Sequence, residues 1–327
     1  MDVSLFTKDS EDLIIDLDLD NSTGYTQSTV NSASINNKGV EAILNVIPVQ
    51  SRDFTWDVTA SFSLLRSEVI SIADGIDQIY VGGYVGRGNI AIPGLPYGIL
   101  EGELIRRDYG SLDGTDHTQV HWDDRTGYTP IVNANGGYQF LGYGVIGNPQ
   151  PDYVYGVTNT LSYKWATLRV QFDSQVGGDV FSTTNSTLLG RGILQETDFD
   201  RFVPVVTNGL SADGTPNTTQ TTANAHYWPN TGVFYDENSI YDASVMRLRE
   251  VSLSFVAPKS FLNGTPFGNA SLTLSAQNIW HYAWNTPSGT NFDPEVISYG
   301  AGSNARGFDE MTGPTAKKYG ATLSLTF

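Results

Sequence analysis

Residues 320–327 read Gly-Ala-Thr-Leu-Ser-Leu-Thr-Phe. Apolar side chains alternate there with hydroxyl-bearing ones, at Leu323, Leu325 and Phe327 against Thr322, Ser324 and Thr326. A period of two is typical of a β-strand with one apolar and one polar face. The same alternation recurs at residues 2–17, Val40–Val49, Phe54–Val69, Tyr153–Tyr163, Thr167–Gly177, Val245–Val256 and Ala270–Trp280. Together these segments predict an all-β chain of about eight strands.

The composition fits this fold class and excludes several functions. Charged residues are only 16% of the 327 residues, whereas there are 34 glycines and 17 tyrosines. The net charge of -17 argues against a nucleic-acid surface, because phosphate binding needs clustered Lys and Arg. The absence of cysteine excludes disulfides and thiolate metal sites. No apolar run reaches the roughly 18 residues of a transmembrane helix, but a barrel strand needs only about 10 alternating residues.

The connections between the predicted strands alternate in length. Short turns follow the second, fourth and sixth strands, and long connections occupy about residues 18–34, 70–151, 178–243 and 281–315. Short periplasmic turns and long extracellular loops are typical of outer-membrane barrels. The sequence therefore predicts an antiparallel transmembrane β-barrel segment. Alternation alone fits a soluble β-sandwich equally well, because a lipid-facing strand and a core-facing strand share one pattern.

Aromatic residues cluster near the ends of the predicted strands. They are Phe54, Trp56, Tyr163, Trp165, Trp280 and Tyr282. Rings at this position are typical of the two girdles that flank the apolar band of a membrane barrel.

Several segments resemble one family, and they occur in the family's order. Asn36–Glu41 resembles an N-K-G-V-E segment, and Gly147–Asp152 resembles G-N-P-x-P-D. Met246–Phe255, Ala257–Leu262 and Leu272–Ile279, followed by Asp293-Pro294-Glu295 and the last strand, resemble the family's late strands. Leu161–Lys164 and Gly177–Val180 continue the series. This ordered set resembles the SusC/RagA-type TonB-dependent outer-membrane transporters.

The resemblance implies that residues 1–327 are the carboxy-terminal part of such a receptor barrel. The family that this chain resembles consists of plugged barrels of about 22 strands. We therefore expect this chain to be incomplete and its plug domain to be absent. The implied function is import of oligosaccharides or other nutrients across the bacterial outer membrane. The implied partners are outer-membrane lipid, a SusD-like lipoprotein, a glycan or peptide ligand, and the TonB complex through the missing amino-terminal part.

Phe327 has a specific implied role. A carboxy-terminal aromatic residue resembles the signal that the barrel-assembly machinery reads in outer-membrane proteins. We expect the last strand to close the barrel by pairing with the first strand, since closure removes exposed strand edges.

Catalytic chemistry is not indicated. The sequence has no recognisable nucleophile–His pairing and no H-E-x-x-H motif, so we expect no enzyme activity and no cofactor. The best metal candidates are His117 and His121, which have four aspartates nearby, but solvated loop residues fit the same pattern and we expect no metal site.

Loop aromatics are the candidate ligand-binding residues. They are Trp122, Tyr128, Tyr227, Trp228 and Trp284, which lie among Asn, Asp and Gly. Flat rings beside amide and carboxylate groups suit sugars, although such rings also pack loops onto one another. Two other functions stay open: a small standalone outer-membrane barrel that acts as an adhesin or structural protein, and a soluble, secreted carbohydrate-binding β-sandwich.

Overall fold

The computed structural model describes residues 1–18, 22, 24–25, 27–84, 86–108, 124–230, 235–287, 289–290, 292–295, 298, 305–313 and 315–327. The strands in this part of the chain are β1 (Asp2–Asp18), β2 (Gln27–Gln50), β3 (Phe54–Ser71), β4 (Ile79–Tyr84), β5 (Arg87–Ala91), β6 (Ile99–Ile105), β7 (Arg107–Asp108), β8 (Thr129–Val132), β9 (Phe140–Gly147), β10 (Tyr153–Tyr163), β11 (Ala166–Val176), β12 (Asp179–Ser182), β13 (Val205–Val206), β14 (Leu210–Ser211), β15 (Gln220–Thr221), β16 (Ile240–Asp242), β17 (Val245–Val256), β18 (Asn269–Tyr282), β19 (Phe308–Asp309) and β20 (Lys318–Thr326). The helices are short: α1 (Thr183–Gly190), α2 (Ala223–Ala225) and α3 (Lys259–Leu262), with a π-helical turn at His226–Asn230.

One antiparallel sheet of eight long strands dominates the structure. Its strand order is β1-β2-β3-β10-β11-β17-β18-β20, so each strand pairs with its nearest long neighbours in the sequence. The alternating segments of the sequence form these strands, which confirms the all-β prediction. Among the described residues β1 pairs only with β2, and β20 pairs only with β18. The sheet is therefore open along two edges, and closure of a barrel stays a prediction.

The two ends of the sheet differ. Short connections join β2 to β3, β10 to β11 and β17 to β18, and we call this side the turn end. The connections after β3, β11 and β18 run from residues 72–152, 177–244 and 283–317, and they leave from the opposite side, the loop end. Since the strands are antiparallel, every second connection must emerge at the same end.

The first connection is much shorter than expected. The sequence predicts a long loop at about residues 18–34, but β2 already begins at Gln27. That prediction was wrong because this part of β2 is rich in polar residues, which were interpreted as a loop. Polar residues can form a strand when the strand also has apolar residues that pair with its neighbour, here β1. Ile14 lies opposite Asn31, and Ala33 is buried opposite Leu13.

The long connections contain β-strands that the sequence pattern did not predict. They contain the four-stranded sheet β4-β5-β6-β9 and the smaller sheets β14-β8-β7, β16-β12-β19 and β13-β15. We call this part of the structure the loop layer. Its strands were not predicted because most have seven residues or fewer, which is too short for a clear alternation.

The main buried core lies in the loop layer. Leu100, Leu104 and Ile146 from the first long connection pack with Phe181 from the second and Phe308 from the third. The Phe181 and Phe308 rings are 5.7 Å apart between centroids. The three long connections therefore form one body and are not independent loops.

Ion pairs hold the edge of this core. The Arg107 Nη1 atom is 2.6 Å from Glu237 Oε1, and Arg87 pairs with the buried carboxylate of Asp236. The same two carboxylates accept hydrogen bonds from the backbone N–H groups of Glu103 and Ile105 on β6. Residues 236–237 thus fasten the second long connection onto the first.

None of the helices in the described part of the chain is long and apolar enough to cross a membrane.

Candidate functional site

The eight-stranded sheet sorts its side chains onto an apolar and a polar face. One row of cross-strand partners is apolar and consists of Val49, Trp56, Leu161, Leu168, Leu253, Leu274 and Ala321. A row on the other face is polar and consists of Asn45, Thr59, Thr158, Gln171, Glu250, Gln277 and Lys318. Directly opposed residues share a face, so each face is continuous across seven strands.

The apolar face is exposed. Leu323 is 65% exposed and Leu274 is 45% exposed, and Leu44, Val46 and Leu272 also rank among the exposed large hydrophobic residues. Soluble monomers rarely leave a continuous apolar area of more than a few hundred Å² open to water. The face therefore requires an apolar neighbour such as lipid.

Aromatic rings border the apolar face at both ends. At the turn end Tyr163 and Trp165 are about half exposed, and the Trp165 and Phe255 rings are 5.7 Å apart. At the loop end Trp280 and Tyr282 stack with their centroids 6.5 Å apart. Between Tyr155 and Tyr163 the strand rises roughly 27 Å, or roughly 20 Å along the axis of a barrel whose strands are tilted by about 40°. This separation approaches the apolar band of about 25 Å in membrane barrels.

A pair of β-bulges decides which face carries Arg247. In an uninterrupted strand Arg247 would share a face with the apolar residues that follow it on β17. The ladder shifts register between Leu248 and Glu250, and the partner strand β18 has Asn278 at a φ of 52° within the same shift. A bulge inserts one residue and exchanges the faces beyond it. Arg247 therefore lies on the polar face, opposite Asp173.

Arg247 is the centre of a charge network at the loop end of the polar face. Its Nη2 atom is 2.7 Å and its Nε atom 3.2 Å from Oδ1 of Asp293. Glu295 lies 3.4 Å and Asp173 lies 3.8 Å from the same guanidinium. Arg249 holds Glu295 with two hydrogen bonds of 2.9 Å and also pairs with Asp173. Two arginines and three carboxylates thus attach the last long connection to the eight-stranded sheet.

The electrostatics of Asp293 follow from this arrangement. Burial by itself would raise the pKa of Asp293. The positive charge of Arg247 and its hydrogen bonds, with further bonds from the Thr315 hydroxyl and the Glu295 N–H, outweigh burial and lower the pKa below its ordinary value. Asp293 is therefore ionised at neutral pH, as the buried Arg247 requires.

A groove of about 420 Å³ runs along the polar face beside this network. Glu41, Ser61, Ser63, Gln171 and Gln175 line it with hydroxyl, amide and carboxylate groups. Such groups form hydrogen bonds with water or with a polar ligand, and none of them is arranged as a nucleophile with a base. The surface is suited to binding and passage.

Sequence patterns alone do not identify this network as a site. The available signal was the segment Met246–Glu250, where the consecutive polar residues Arg249 and Glu250 shift the phase of the alternation. The acidic partners could not be inferred, because Asp293 and Glu295 come from a connection more than 40 residues away.

The structure brings two of the predicted ligand-binding residues together. Tyr227 and Trp228 lie in the π-helical turn after α2. The Tyr227 ring is 6.2 Å from the Phe199 ring, and the guanidinium carbon of Arg191 is 4.1 Å from the centre of the Trp228 ring. Tyr227, Phe199 and Arg191 line one cleft of about 140 Å³.

The other predicted residues lie elsewhere. Trp284 follows β18, with its ring 6.4 Å from that of Tyr282, so it continues the aromatic row of the apolar face. Tyr128 is half-buried after the short helical turn Arg125–Gly127. Trp122, His117 and His121 lie outside the described residues. In the part of the chain that the structure describes, no group of three or more His, Asp or Glu side chains could hold a metal ion.

The predicted signal residue Phe327 lies at the turn end. Its side chain is exposed, and its ring is 5.2 Å from that of Phe267.

Sequence relatives extend over nearly the whole chain. No family model matches. TonB-dependent receptor P3 of Formosa agariphila is 25% identical over 350 residues, which cover 98% of this chain and 32% of that protein. TonB-dependent receptor P26 of the same organism is 25% identical over 340 residues, which cover 100% of this chain and 32% of that protein. TonB-dependent receptor SusC of Bacteroides thetaiotaomicron is 22% identical over 264 residues, which cover 76% of this chain and 23% of SusC.

Solved structures have the same fold. The structure of the RagAB peptide transporter superposes with a TM-score of 0.64 at 19% identity, and covers 99% of this chain and 33% of its own. The RagAB peptide importer in the 'closed-closed' state gives a TM-score of 0.65 at 18% identity, with 99% and 33% coverage. The predicted resemblance to SusC/RagA-type TonB-dependent receptors is confirmed. The chain spans about a third of the length of the curated relatives P3 and P26.

Proposed function

We propose that this chain is the carboxy-terminal wall portion of a TonB-dependent outer-membrane importer of oligosaccharides or other nutrients. The observation that carries the proposal is the two-faced sheet, which is apolar and exposed on one side and polar and charged on the other. Such a sheet separates lipid from an aqueous or plugged interior. The relatives are named as receptors or transporters, and no enzyme is among them.

The two competing functions require features that the described residues lack. A soluble sandwich needs a second layer over the apolar face, but Leu274 and Leu323 are exposed there. A standalone eight-stranded barrel needs β1 to pair with β20, and no such pair occurs in the described part of the chain. The proposed wall instead continues into further strands of a larger barrel.

The proposed partners follow from the resemblance to SusC-type transporters. We expect a SusD-like lipoprotein to dock on the loop layer, where Phe202 is 96% exposed beside the exposed Val203, Ile193 and Phe199. Contiguous exposed apolar residues are typical of interaction sites. A Phe202→Asp variant should lose the co-purifying lipoprotein, whereas Tyr25→Asp, which changes another exposed loop ring, should retain it. Equal recovery of the lipoprotein with both variants would contradict this docking site.

Assembly and energy coupling are proposed in the same way. The barrel-assembly machinery would recognise the last strand through Phe327, which lies exposed at the turn end. The TonB complex would act through a part of the protein outside these 327 residues.

The absence of cysteine allows a direct test of the topology. Single cysteines at Asp213, Arg52 and Leu323 would be reacted with a membrane-impermeant maleimide in intact cells of the producing organism. We expect Asp213→Cys to react at once, Arg52→Cys to react only after the outer membrane is opened, and Leu323→Cys to remain protected by lipid. Equal labelling of all three sites, or a protein that folds in water without detergent, would contradict the membrane proposal.

Transport itself is tested by uptake. Cells that lack the gene should lose growth on at least one oligosaccharide or peptide in a panel of sole nutrients. The full-length gene should restore this growth only when TonB is present. Restoration without TonB would refute a TonB-dependent importer, even if the topology were as proposed.

A further inference from the structure

The second long connection encloses a small cleft in the loop layer, which we call the arginine cleft. It has a volume of about 140 Å³ and is lined by the end of α1, the segment that follows and α2. Arg191, Arg201, Phe199 and Tyr227 are among the lining residues. Pockets for whole drug-sized ligands measure roughly 300–1,000 Å³. The arginine cleft therefore fits one sugar unit or one side chain of a larger ligand.

The two arginines of the cleft differ from the arginines that form ion pairs in the described part of the chain. Arg66, Arg87, Arg107, Arg247 and Arg249 each pair with a carboxylate. Within the described ranges, no carboxylate lies within 4.0 Å of the guanidinium of Arg191 or Arg201. Both arginines are exposed, so their guanidinium groups are accessible to an anion at the cleft.

Two glycines at the cleft allow a ring and a guanidinium group to approach the backbone closely. A Cβ atom on Gly190 would lie 2.7 Å from Cε3 of the Trp228 ring. Gly192 has a φ of +69°, and a Cβ atom there would lie 3.0 Å from the guanidinium carbon of Arg201. Arg201 also donates a hydrogen bond to the Gly192 carbonyl oxygen. Side chains of any size at these two positions would displace the ring and the guanidinium.

We infer that the arginine cleft binds a carboxylate carried by a compact unit with an apolar face, an inference that rests on the proposed function. Guanidinium groups bind carboxylates through paired, charge-assisted hydrogen bonds. The Phe199 and Tyr227 rings, inclined at 48° to each other, supply two apolar surfaces for the body of the ligand. A uronic acid in a glycan and an acidic residue in a peptide both have this chemistry.

The protonation state of Tyr227 suits a carboxylate. Burial, and then the negative charge of Glu196, raise the pKa of its hydroxyl above the ordinary value. The hydroxyl therefore stays protonated at neutral pH and can donate a hydrogen bond. Glu196, Asp198 and Asp200 are acidic neighbours in the same segment, but none of them lines the cleft.

A purely structural role for the arginines makes different predictions. Arg191 is the C-cap of α1, where a cation stabilises the helix end, and its guanidinium lies over Trp228. In that role, loss of the charge would lower the melting temperature without discriminating between ligands. Binding measurements with charged and neutral probes therefore separate the two roles.

The experiment is isothermal titration calorimetry on the full-length protein in detergent micelles. The glycan probes are trigalacturonate and galactotriose, and the peptide probes are acetyl-Ala-Glu-Ala-amide and its Gln counterpart. We expect one acidic probe to bind at least about tenfold more tightly than its neutral partner, and Arg201→Gln to remove this preference. Arg201→Lys should retain part of the preference, and Arg52→Gln, at the turn end, should leave it unchanged.

The outcomes are distinct. Preference for trigalacturonate identifies an acidic glycan as the source, and preference for the Glu peptide identifies an acidic peptide. Absence of any acidic preference, or a preference that survives Arg201→Gln in a protein of unchanged melting temperature, overturns the inference. Binding is measured without transport, so failure of TonB-dependent uptake with intact acidic binding would refute only the proposed function.

Discussion

Replacing Asp293 with Asn should detach the last long connection from the eight-stranded sheet. Asn has the same shape as Asp but lacks the charge that balances Arg247, whose side chain is only 5% exposed. The Oδ1 atom remains as a neutral acceptor for the bonds of 2.7 and 3.2 Å from Arg247. The change therefore removes the charge and keeps most of the geometry.

The magnitude follows from these two hydrogen bonds. Charge-assisted bonds contribute roughly 1.5–3 kcal/mol each, about twice as much as neutral ones, so the loss is roughly 2–3 kcal/mol. The full penalty for an unpaired buried charge is roughly 3–5 kcal/mol, but Glu295 and Asp173 remain at 3.4 and 3.8 Å from Arg247. Opening of this attachment should become roughly thirty- to 150-fold more frequent, at tenfold per 1.4 kcal/mol.

Hydrogen exchange by mass spectrometry of the full-length protein in detergent measures this opening. The reporter is the backbone amide of Glu295, which donates to Asp293. The matched control is Glu295→Gln, since the Glu295 side chain is 44% exposed and should contribute less than about 1 kcal/mol. Exchange in Asp293→Asn within threefold of the unsubstituted protein, or smaller than in Glu295→Gln, would refute the reasoning.

The same attachment should depend on pH with a defined sign. The pKa of folded Asp293 lies below its ordinary value of 3.8. A lowered carboxyl pKa stabilises the folded form above the unfolded pKa, and this stabilisation is lost as the pH falls through the folded pKa. Protection of Glu295, corrected for intrinsic exchange rates, should therefore be constant from neutral pH down to about 5 and should fall below the unfolded value of 3.8.

Three further predictions concern the wall and the loop layer. Deletion of Ser252, in the regular part of β17, should turn the loop-end residues of the strand to the wrong face, so outer-membrane levels of the full-length protein should fall to near background. Deletion of Arg249, the bulged residue, keeps those faces and should lower the levels less; equal levels of the two deletion variants would contradict this role of the bulge. Leu323→Arg, on the apolar face in register with Phe255 near the turn end, should destabilise the barrel by about 1–2 kcal/mol, less than at the bilayer midplane. Thr322→Arg on the polar face should be tolerated, as judged by heat-dependent gel mobility. Gly102→Ala should lower the stability of the loop layer by about 1–3 kcal/mol, because the added Cβ atom would lie 2.5 and 2.7 Å from neighbouring side-chain carbons. The control is Gly127→Ala, whose added Cβ atom meets nothing within 4 Å. Equal protease sensitivity of the two variants would contradict the close contact at Gly102.

The local sequence pattern predicted the long strands and their two faces, because the alternation of side chains between the faces depends only on the local backbone geometry of a strand. The alternation of Leu272 and Leu274 with Ser271 and Thr273 assigns two faces whichever strand lies beside them. The pattern did not decide whether lipid or a protein core covers the apolar face. Leu323 is exposed in the folded chain, so no described residue covers that part of the apolar face.

Candidate ligand residues were predicted less well than strands. Tyr227 and Trp228 were selected because rings in polar loops suit ligands, and the structure places them beside two arginines. Trp284 has the same local context but continues the ring row of β18. Sequence alone could not separate these cases, because the difference lies in the neighbours that the fold supplies.

By itself, the sequence determined the all-β class, the two faces of the long strands and the resemblance to SusC/RagA-type receptors. Only the tertiary structure decided the contacts between distant segments. Ser182 donates to Asp309 across 127 residues, and Phe181 packs on Phe308. Side-chain alternation is a property of one strand, whereas these contacts depend on three connections that fold together, so no single segment contains the information that specifies them.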